Sequence, residues 1–448
     1  MLTPTDIFAA RVPRYTSYPT APHFHTGIDG RTYAGWLEAL PPDMPLSLYL
    51  HVPFCDTLCW FCACHTTVVN NQAPVREYCQ SLLGEIALVA ARLKGRHPVT
   101  HIHWGGGSPT LVEADDMRWI SATIRRLFDV RPDAEIAIEI DPRGFDNAQA
   151  AVLAECGFNR ASIGLQDCDA KVQKAINRIQ PAEVLRDAVD ALRRHGIENI
   201  NLDLVYGLPH QTQESFARNL DLALALEPSR LALFGYAHVP FFKKHQALIP
   251  QSALPDVEAR LQLAQAGEDR LCAAGYQAIG LDHFAQPDDA LALAAKTGAL
   301  RRNFQGYTAD QAGALIGLGA SAVGRLPQGY VQNCQTVAAW RAALDADDFP
   351  VARGIALTPE DQLRRHVIEQ LMCFLTVDLA QCCEDFGYPP DWLDWALPAM
   401  QNLVESRVAN VSGRTVSIRP QARGATRLAS AVFDAYLGAQ SARHSLSA

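Results

Sequence analysis

The alternation of short apolar runs with helical repeats, starting near residue 46, constrains the fold of this chain more than any other feature. Each run has the length of a buried strand, and apolar residues three or four positions apart follow it, as on one helix face. Six such units in series predict an α/β fold whose parallel strands curl into a barrel or partial barrel. A doubly wound open sheet remains the alternative, because periodicity alone does not separate the two. The predicted strands are Leu46–Val52, Val99–Trp104, Glu135–Ile140, Arg160–Leu165, Asn199–Val205 and Leu231–Ala237, with one further strand over Gln277–Leu281.

The pattern changes after about residue 345 to helices with charged faces. A chain of 448 residues has room for one large domain and a smaller one. We therefore predict an N-terminal arm (1–35), a barrel domain (36–345) and a mostly helical C-terminal domain (346–448). The C-terminal elements expected are helices over Thr358–Leu371, Asp391–Val404 and Thr426–Gly438, and a hairpin near Val408–Ile418.

The composition limits the kinds of partner and the cellular compartment that are expected for this chain. The formal charge of −9 argues against nucleic acid as a general partner. No apolar stretch approaches the length that spans a bilayer, and the first residues resemble no secretory signal. Twelve cysteines, most of them scattered, suit a reducing cytoplasm. We expect a cytoplasmic monomer without membrane insertion.

Three cysteines directly after the first predicted strand indicate a metal-binding or cofactor-binding site. Cys55, Cys59 and Cys62 stand four and three residues apart, and Cys64 follows. Thiolates this close suit an iron–sulfur cluster, and three ligands on a cubane leave one iron open. A zinc site, a disulfide and buried structural thiols are the alternatives. Zinc usually takes a second ligand pair downstream, and including His65 would crowd one tetrahedral ion. The cluster is the preferred interpretation.

Other unusual residues fall at the ends of the later strands. In such barrels the chemistry gathers at the C-terminal ends of the strands, so one active site is expected on this rim. Glycines let the backbone approach a ligand, and carboxylates accept from amino or hydroxyl groups. Taken alone, each of these residues is equally compatible with a turn, a cap or a solvated strand end. The rim residues are Gly105–Thr110, Glu139, Gln166, Asp203 and Ala237.

The chain resembles the oxygen-independent coproporphyrinogen III oxidases, the HemN family of radical S-adenosylmethionine (SAM) enzymes. The resemblance extends over nearly the whole chain, and Ala63 and Ser108 depart from it by small changes, where glycine and threonine are expected. Segments that carry it include Pro13–Thr20, Cys55–Cys64, Trp104–Thr110, Glu139–Arg143, Asp203–Pro209, Tyr236–His238, Asp282–Phe284 and Asn303–Thr308.

The resemblance implies a partial (β/α)6 radical SAM barrel with an N-terminal arm laid over the active site. It implies a [4Fe–4S] cluster held by Cys55, Cys59 and Cys62, and two SAM molecules side by side. Tyr49 and Glu139 are implied as catalytic residues, with Val323 beside them around the first SAM. The residues implied around the pair or the second SAM are Phe61, Gly106, Gly107, Ser108, Gln166, Arg178, Asp203 and Ala237.

The implied reaction belongs to heme biosynthesis. A 5′-deoxyadenosyl radical made from SAM takes hydrogen from coproporphyrinogen III, and two propionates become vinyl groups to give protoporphyrinogen IX. A cellular one-electron reductant and an electron acceptor are the implied partners. The four substrate carboxylates require cationic side chains. The candidates are Arg14, Arg160, Arg301 and Arg302.

Two other functions share part of this pattern. A heme-binding chaperone related to the oxidases has the barrel and the three cysteines, but such relatives generally lack the Pro13–Thr20 segment and a cysteine at the Cys64 position. A different radical SAM enzyme acting on a tetrapyrrole, such as an anaerobic heme-degrading methyltransferase, is the second alternative. The mass of the product separates it from an oxidase.

Overall fold

A twelve-stranded mixed sheet is the largest element of the computed structural model, which describes residues 12–438. We number its strands in chain order: β1 Leu46–Val52, β2 Pro98–Gly106, β3 Asp129–Ile140, β4 Arg160–Gln166, β5 Asn199–Tyr206, β6 Arg230–Gly235, β7 Gln277–Ile279, β8 His283–Ala285, β9 Ala314–Leu318, β10 Val323–Leu326, β11 Gly329–Asn333 and β12 Val351–Ala356.

The strands follow the order β12-β11-β10-β9-β1-β2-β3-β4-β5-β6-β8-β7. The run from β9 to β6 is parallel throughout, and the strands outside it on both sides pair antiparallel. The two outermost strands do not pair with each other, so the barrel is partial. The six predicted βα units are confirmed. β9 adds a seventh parallel strand, and the region predicted as a further strand, Gln277–Leu281, forms only the short antiparallel edge β7.

Helices cover the outer face of the parallel strands, and their apolar stripes meet the sheet in one continuous core. Two begin with capping boxes, Asp146 with Gln149 and Thr212 with Ser215, which satisfy free N–H groups of the first turn. No helix within residues 12–438 is long and apolar enough to cross a membrane. The covering helices are Ala73–Arg92, Ala114–Leu127, Asn147–Glu155, Ala182–Arg194, Gln213–Ala225 and Val257–Ala273.

The C-terminal segment has an apolar core of its own. Its predicted first helix spans Pro359–Phe374, and its predicted hairpin is found at Ala409–Ser412 and Thr415–Ile418. The predicted continuous helix over Asp391–Val404 is wrong, because the chain forms two short helices there that are separated at Met400. The other described elements there are Thr376–Asp378, Leu379–Asp385, Ala396–Ala399, Gln401–Glu405 and Thr426–Val432.

The N-terminal arm packs on this C-terminal core. Tyr15 and Tyr18 are buried in it, and Tyr15 Oη donates a hydrogen bond to Asp434 at 3.0 Å. Residues 1–11 of the predicted arm lie outside the described residues. β12 belongs to the large sheet although it follows residue 345. The division into three domains remains a prediction.

Candidate active site

The loop 55–64, which carries the cysteines, leaves the end of β1. On one side it is held by the segment before Arg178: Asn177 Nδ2 donates to the Leu58 carbonyl, and the Trp60 N–H donates to the Ile176 carbonyl, both at 2.9 Å. These two hydrogen bonds tie the middle of the loop to the segment before Arg178.

A second segment holds the other side of the loop. Gln246 Nε2 donates to the Phe61 carbonyl at 2.9 Å, and a ring nitrogen of His245 donates to the Cys62 carbonyl at 2.7 Å. Gln246 is fully buried, so its amide is committed to this loop. The two segments clamp the cysteines between them.

Positive and polar groups surround the sulfur atoms. Arg143 Nη2 and Arg178 Nη1 lie 3.5 and 3.6 Å from Cys59 Sγ, and Ser108 Oγ lies 3.8 Å from Cys55 Sγ. The cysteine sulfurs are therefore lined by hydrogen-bond donors on the side that faces Arg143, Arg178 and Ser108.

The thiols differ in their readiness to ionise. Hydrogen bonds from the thiol and the backbone N–H of Cys64, together with the charges of Lys243 and Arg178, lower the pKa of Cys62 to about 7. Burial raises the pKa of Cys55 to about 11. Of these two thiols, Cys62 ionises more readily at neutral pH than Cys55.

The donor set fits an iron–sulfur cubane better than a single ion. Within residues 12–438 no three His, Cys, Asp or Glu side chains are placed to hold one metal ion. A cubane presents its irons at separate corners, so its cysteine ligands need not converge on one point. The three cysteines instead share the wall of one cavity.

That cavity has a volume of about 410 Å³ and extends from the cysteine loop into the barrel. It brings together most of the residues that the resemblance implies for cofactor binding. Those lining it are Cys55, Cys59, Phe61, Cys62, Gly106, Gly107, Ser108, Glu139, Gln166, Arg178 and Asp203.

Three implied residues lie elsewhere. Tyr49 is not among the residues that line the cavity, but its ring stacks on His103, which does line it, and its hydroxyl donates to His51 Nδ1 at 3.0 Å. Val323 begins β10 and packs among aromatic side chains. Ala237 lines a second cavity, of about 400 Å³. Phe234 lines both cavities and lies where they adjoin.

Glu139 lies in the cavity wall with its side chain 38% exposed, and its surroundings hold it as a carboxylate. The Gly106 N–H donates to Glu139 at 2.9 Å, and His103 Nε2 lies 3.1 Å from its other oxygen. Burial alone would raise the pKa of Glu139, but these hydrogen bonds and the nearby histidines bring it below its ordinary value. A Cβ on Gly105 would come within 2.6 Å of this carboxylate, so a side chain there would crowd Glu139 out of its present position.

The pKa of Asp203 is shifted in the opposite direction from that of Glu139. Ser162 Oγ and Asn201 Nδ2 donate to it at 2.9 and 2.8 Å. Burial, opposed by these hydrogen bonds but reinforced by the charge of Glu139, raises the pKa of Asp203 to about 6. Near neutral pH Asp203 is therefore mainly a carboxylate that accepts hydrogen bonds, although its surroundings disfavour the charge.

Arg178 is occupied by the protein itself. Its guanidinium donates to Asp141 at 2.8 Å, to the Gly164 carbonyl at 2.9 Å and to Gln180 at 3.0 Å. Asp141 also pairs with Arg143 at 2.6 Å. These contacts fix the guanidinium in the cavity wall, 3.6 Å from Cys59 Sγ, and its role toward SAM stays a prediction.

Sequence reasoning did not single out the histidines of the barrel interior. His101 and His103 alternate along β2 and both line the cavity. Period-two alternation of polar residues in an otherwise apolar strand is the signal that would have placed them on the inner face. His103 matters most, because it contacts both Tyr49 and Glu139.

Arginines surround the second cavity. Arg14 and Arg302 line it together with Arg427. Within the described residues, Arg302 Nε and Nη1 are buried without a hydrogen-bond partner. Burial and the charges of Arg14 and Arg302 lower the pKa of Arg427 to about 9, and Asp282 supplies a counter-charge.

The other two arginine candidates are placed differently. The guanidinium of Arg160 forms ion pairs with Glu135 at 2.8 Å and with Asp289 at 3.3 Å. Arg301 lines a third cavity, of about 260 Å³.

Comparison with known proteins agrees with this geometry. Residues 49–223 match the Radical SAM superfamily. The chain is 47% identical over 435 residues to the oxygen-independent coproporphyrinogen III oxidase of Bradyrhizobium diazoefficiens, with 97% of both chains covered. The chain belongs to this oxidase family. The family's enzyme from Paracoccus denitrificans is 44% identical over 431 residues, covering 96% of this chain and 95% of that one.

A solved member of the family has the same fold. The structure described as coproporphyrinogen III oxidase (HemN) from Escherichia coli, a radical SAM enzyme, matches with a TM-score of 0.90 at 35% identity. The match covers 95% of this chain and all of the other. The protein is thus a radical SAM oxidoreductase of the coproporphyrinogen III oxidase family, which implies a [4Fe–4S] cluster and SAM. The predicted radical SAM barrel is confirmed.

Proposed function

We propose that this protein converts two propionates of coproporphyrinogen III to vinyl groups, giving protoporphyrinogen IX for heme synthesis. The relatives named as oxidases support the substrate. The observation that carries the proposal is that the cysteine-lined cavity adjoins the arginine-lined cavity at Phe234. A radical source and a binding site for carboxylates then lie side by side.

Cys55, Cys59 and Cys62 would hold the cluster. When bound, the cluster and SAM supply a 5′-deoxyadenosyl radical that takes hydrogen from a propionate. Glu139, kept charged by His103 and the Gly106 N–H, accepts hydrogen bonds from the amino group of the first SAM. The barrel walls exclude water from the radical, which exposure would quench.

A second SAM is proposed beside the first. Phe61, Gln166 and Asp203 line the same cavity as the cysteines. Asp203 accepts from Ser162 and Asn201 and has further lone pairs available for ribose hydroxyl groups. Arg178, held by Asp141 and the Gly164 carbonyl in the wall of this cavity, would lie beside the SAM pair.

Arg302 and Arg14 are proposed to bind substrate propionates. Unpartnered guanidinium nitrogens in a buried cavity are costly unless an anion completes them. A planar guanidinium matches a carboxylate through two parallel hydrogen bonds. Arg160 is assigned a structural role, because its partners already satisfy it. A cytoplasmic location, a monomeric state and the absence of a nucleic-acid partner complete the proposal.

The decisive experiment is an anaerobic assay on protein with a reconstituted cluster, supplied with SAM, dithionite, an electron acceptor and coproporphyrinogen III. Mass spectrometry should find protoporphyrinogen IX together with 5′-deoxyadenosine. Cys59→Ser should abolish both products. Cys79→Ser, which changes a buried thiol of helix Ala73–Arg92, should keep both.

The other outcomes separate the alternatives. Deoxyadenosine without loss of carbon dioxide from the substrate would point to another tetrapyrrole reaction. Tight heme binding with neither product would favour the chaperone.

A further inference from the structure

The third cavity, of about 260 Å³, lies between the N-terminal arm, the barrel and helix Pro359–Phe374. It shares Asn303, Thr308 and Asp310 with the cysteine cavity and Arg302 with the second cavity. The three cavities therefore adjoin one another along the segment 302–310. A molecule bound in the active site can extend one of its arms into the third cavity.

Four guanidinium groups line the third cavity. Among residues 12–438, none of the four forms an ion pair with a carboxylate. Arg365 Nη1 is buried without a hydrogen-bond partner in this part of the chain, as are Arg302 Nε and Nη1. Buried donors of a charged group are costly when nothing accepts from them. The four residues are Arg301, Arg302, Arg325 and Arg365.

The acidic side chains of the same wall do not balance these charges. Asp310 pairs with His101 of the barrel at 3.0 Å, and Glu369 accepts the backbone N–H of Arg302 at 3.2 Å. Burial lowers the pKa of His366, so this histidine adds no charge at neutral pH. Four guanidinium groups against two carboxylates leave an excess of two positive charges, which suits an anionic ligand.

The size of the cavity indicates the kind of anion. A volume of about 260 Å³ is below the range of about 300–1,000 Å³ that holds a whole drug-sized ligand. The cavity is large enough for a short arm that ends in an anion. A planar guanidinium binds a carboxylate through two parallel hydrogen bonds, and the proposed substrate carries four propionate arms.

We propose that the third cavity binds, through Arg365 and Arg301, the carboxylate of one of the two propionates that the reaction retains. The inference rests on the proposed function and adds where the unreactive side of the substrate is held. The other retained propionate occupies the second cavity, at Arg14. Arg302 lines both cavities, and the two retained propionates likewise stand on neighbouring pyrrole rings of the substrate.

The chemistry of the reaction favours a retained propionate over a reacting one. A reacting carboxylate loses its charge when it leaves as carbon dioxide, so an ion pair would stabilise the ground state and oppose that step. A retained carboxylate keeps its charge throughout. The cavity also lies apart from the radical source, because no cysteine and none of the residues implied to bind SAM lines it. Two anchored propionates would leave the other two to face the cysteine cavity.

The test measures porphyrin binding to the reconstituted holoenzyme with SAM and without a reductant, so that no turnover occurs. The probes are coproporphyrin III, which carries all four propionates, and deuteroporphyrin IX, which carries only the two that the reaction retains. Arg365→Gln should raise the Kd of both probes about tenfold and by the same factor, read from porphyrin fluorescence. The KM for coproporphyrinogen should rise similarly, with the Kd for SAM unchanged.

The matched control is Arg126→Gln, which removes the same charge from an exposed position of helix Ala114–Leu127. It should leave the Kd of both probes at the wild-type value. Arg365→Lys keeps the charge and should recover part of the affinity. Without ligand, the Tm of Arg365→Gln should equal or exceed that of the wild type, because an unpartnered buried charge is removed.

Four results would overturn the proposal. Unchanged Kd values in Arg365→Gln would exclude a porphyrin carboxylate from the cavity, and a ligand-free Tm several degrees below wild type would mark Arg365 as structural. Weaker binding of coproporphyrin III alone would assign the cavity to a reacting propionate. Stabilisation of the wild type by inorganic phosphate, with porphyrin binding unaffected by the substitution, would assign it to a free anion.

Failure of the proposed function would be seen separately. A wild type that makes no protoporphyrinogen in the anaerobic assay, and yet binds both probes in an Arg365-dependent way, would refute the reaction and leave the carboxylate site in place.

Discussion

Two carboxylates of the active site, Glu139 and Asp203, are both partly buried in the wall of one cavity but differ in their preferred charge. Glu139 has a backbone N–H and a histidine as donors, and its pKa is lowered. Asp203 has only neutral side-chain donors and faces the negative charge of Glu139, and its pKa is raised to about 6. The donors around each carboxylate, rather than burial, decide which one keeps its charge easily.

This difference predicts opposite pH effects on stability. The raised pKa of Asp203 means that the folded protein loses stability as pH rises from about 4, the unfolded value, to about 6. Asp203→Asn removes that loss, so its Tm should exceed the wild-type Tm by about 1–3 °C above pH 6, and the gap should close near pH 4. Calorimetry across this range provides the measurement, and SAM affinity should fall in the same variant.

Glu139→Gln is the matched control, with the opposite sign. The lowered pKa of Glu139 contributes stability at neutral pH, which is lost as pH falls through its folded pKa. Its Tm should therefore lie below wild type at pH 7 and approach wild type in acid. An Asp203→Asn variant that is less stable than wild type at every pH would contradict the account.

At the scale of elements, helix Ala73–Arg92 joins the seam between β1 and β9. Tyr78 Oη donates to the His51 carbonyl at 2.6 Å and accepts from the Ala320 N–H at 2.9 Å. Two turns farther along the helix, Glu85 accepts a hydrogen bond from the Gly319 N–H at 2.6 Å. The seam brings together strands that are far apart in sequence, directly beneath the cysteine loop.

Tyr78→Phe should weaken this seam. The ring packing is kept, but two buried backbone groups lose their partner, at a cost of about 1–3 kcal/mol. We expect a lower Tm and faster loss of the reconstituted cluster on dilution, followed by its visible absorbance. Tyr388→Phe, in the C-terminal segment, removes a hydroxyl that has no hydrogen-bond partner among the described residues, and should change neither quantity. Equal behaviour of the two variants would show that the seam does not depend on the Tyr78 hydroxyl.

At the scale of the whole molecule, the arm ties the C-terminal segment to the active site. Tyr18 is fully buried among C-terminal side chains and accepts from the Ala435 N–H at 3.0 Å, while Arg427 donates to the Pro13 carbonyl at 2.9 Å. Between these anchors the chain brings Arg14 to the second cavity beside Arg302. The arm thereby contributes to a cavity formed mainly by the barrel and the C-terminal segment.

Tyr18→Ala should release the arm. Loss of a buried aromatic side chain costs about 3–5 kcal/mol locally. We expect rapid proteolysis between residues 12 and 30 and a KM for coproporphyrinogen raised about tenfold, with SAM binding unchanged, because Arg14 leaves the substrate cavity. Tyr18→Phe keeps the ring and should retain the wild-type KM. An unchanged KM in a variant whose arm is cut would remove Arg14 from substrate binding.

The sequence by itself determined the βα series and the place of the cysteines. Apolar periodicity is a local property, and Cys55, Cys59 and Cys62 cannot separate far because only a few residues join them. Parallel strands then place their C-terminal ends on one rim, so Glu139 and Asp203 could be assigned to the same site.

Only the tertiary structure decided the partners of these groups. β9 lies beside β1 although some 260 residues separate them in the chain. No helical repeat follows β9 in the sequence, so the βα pattern did not indicate that this segment joins the parallel sheet. Arg178 binds Asp141, and Arg302 donates to the Arg14 carbonyl although 288 residues separate them in the chain. Such contacts, and the pKa values that follow from them, depend on packing between distant segments, which local propensity does not specify.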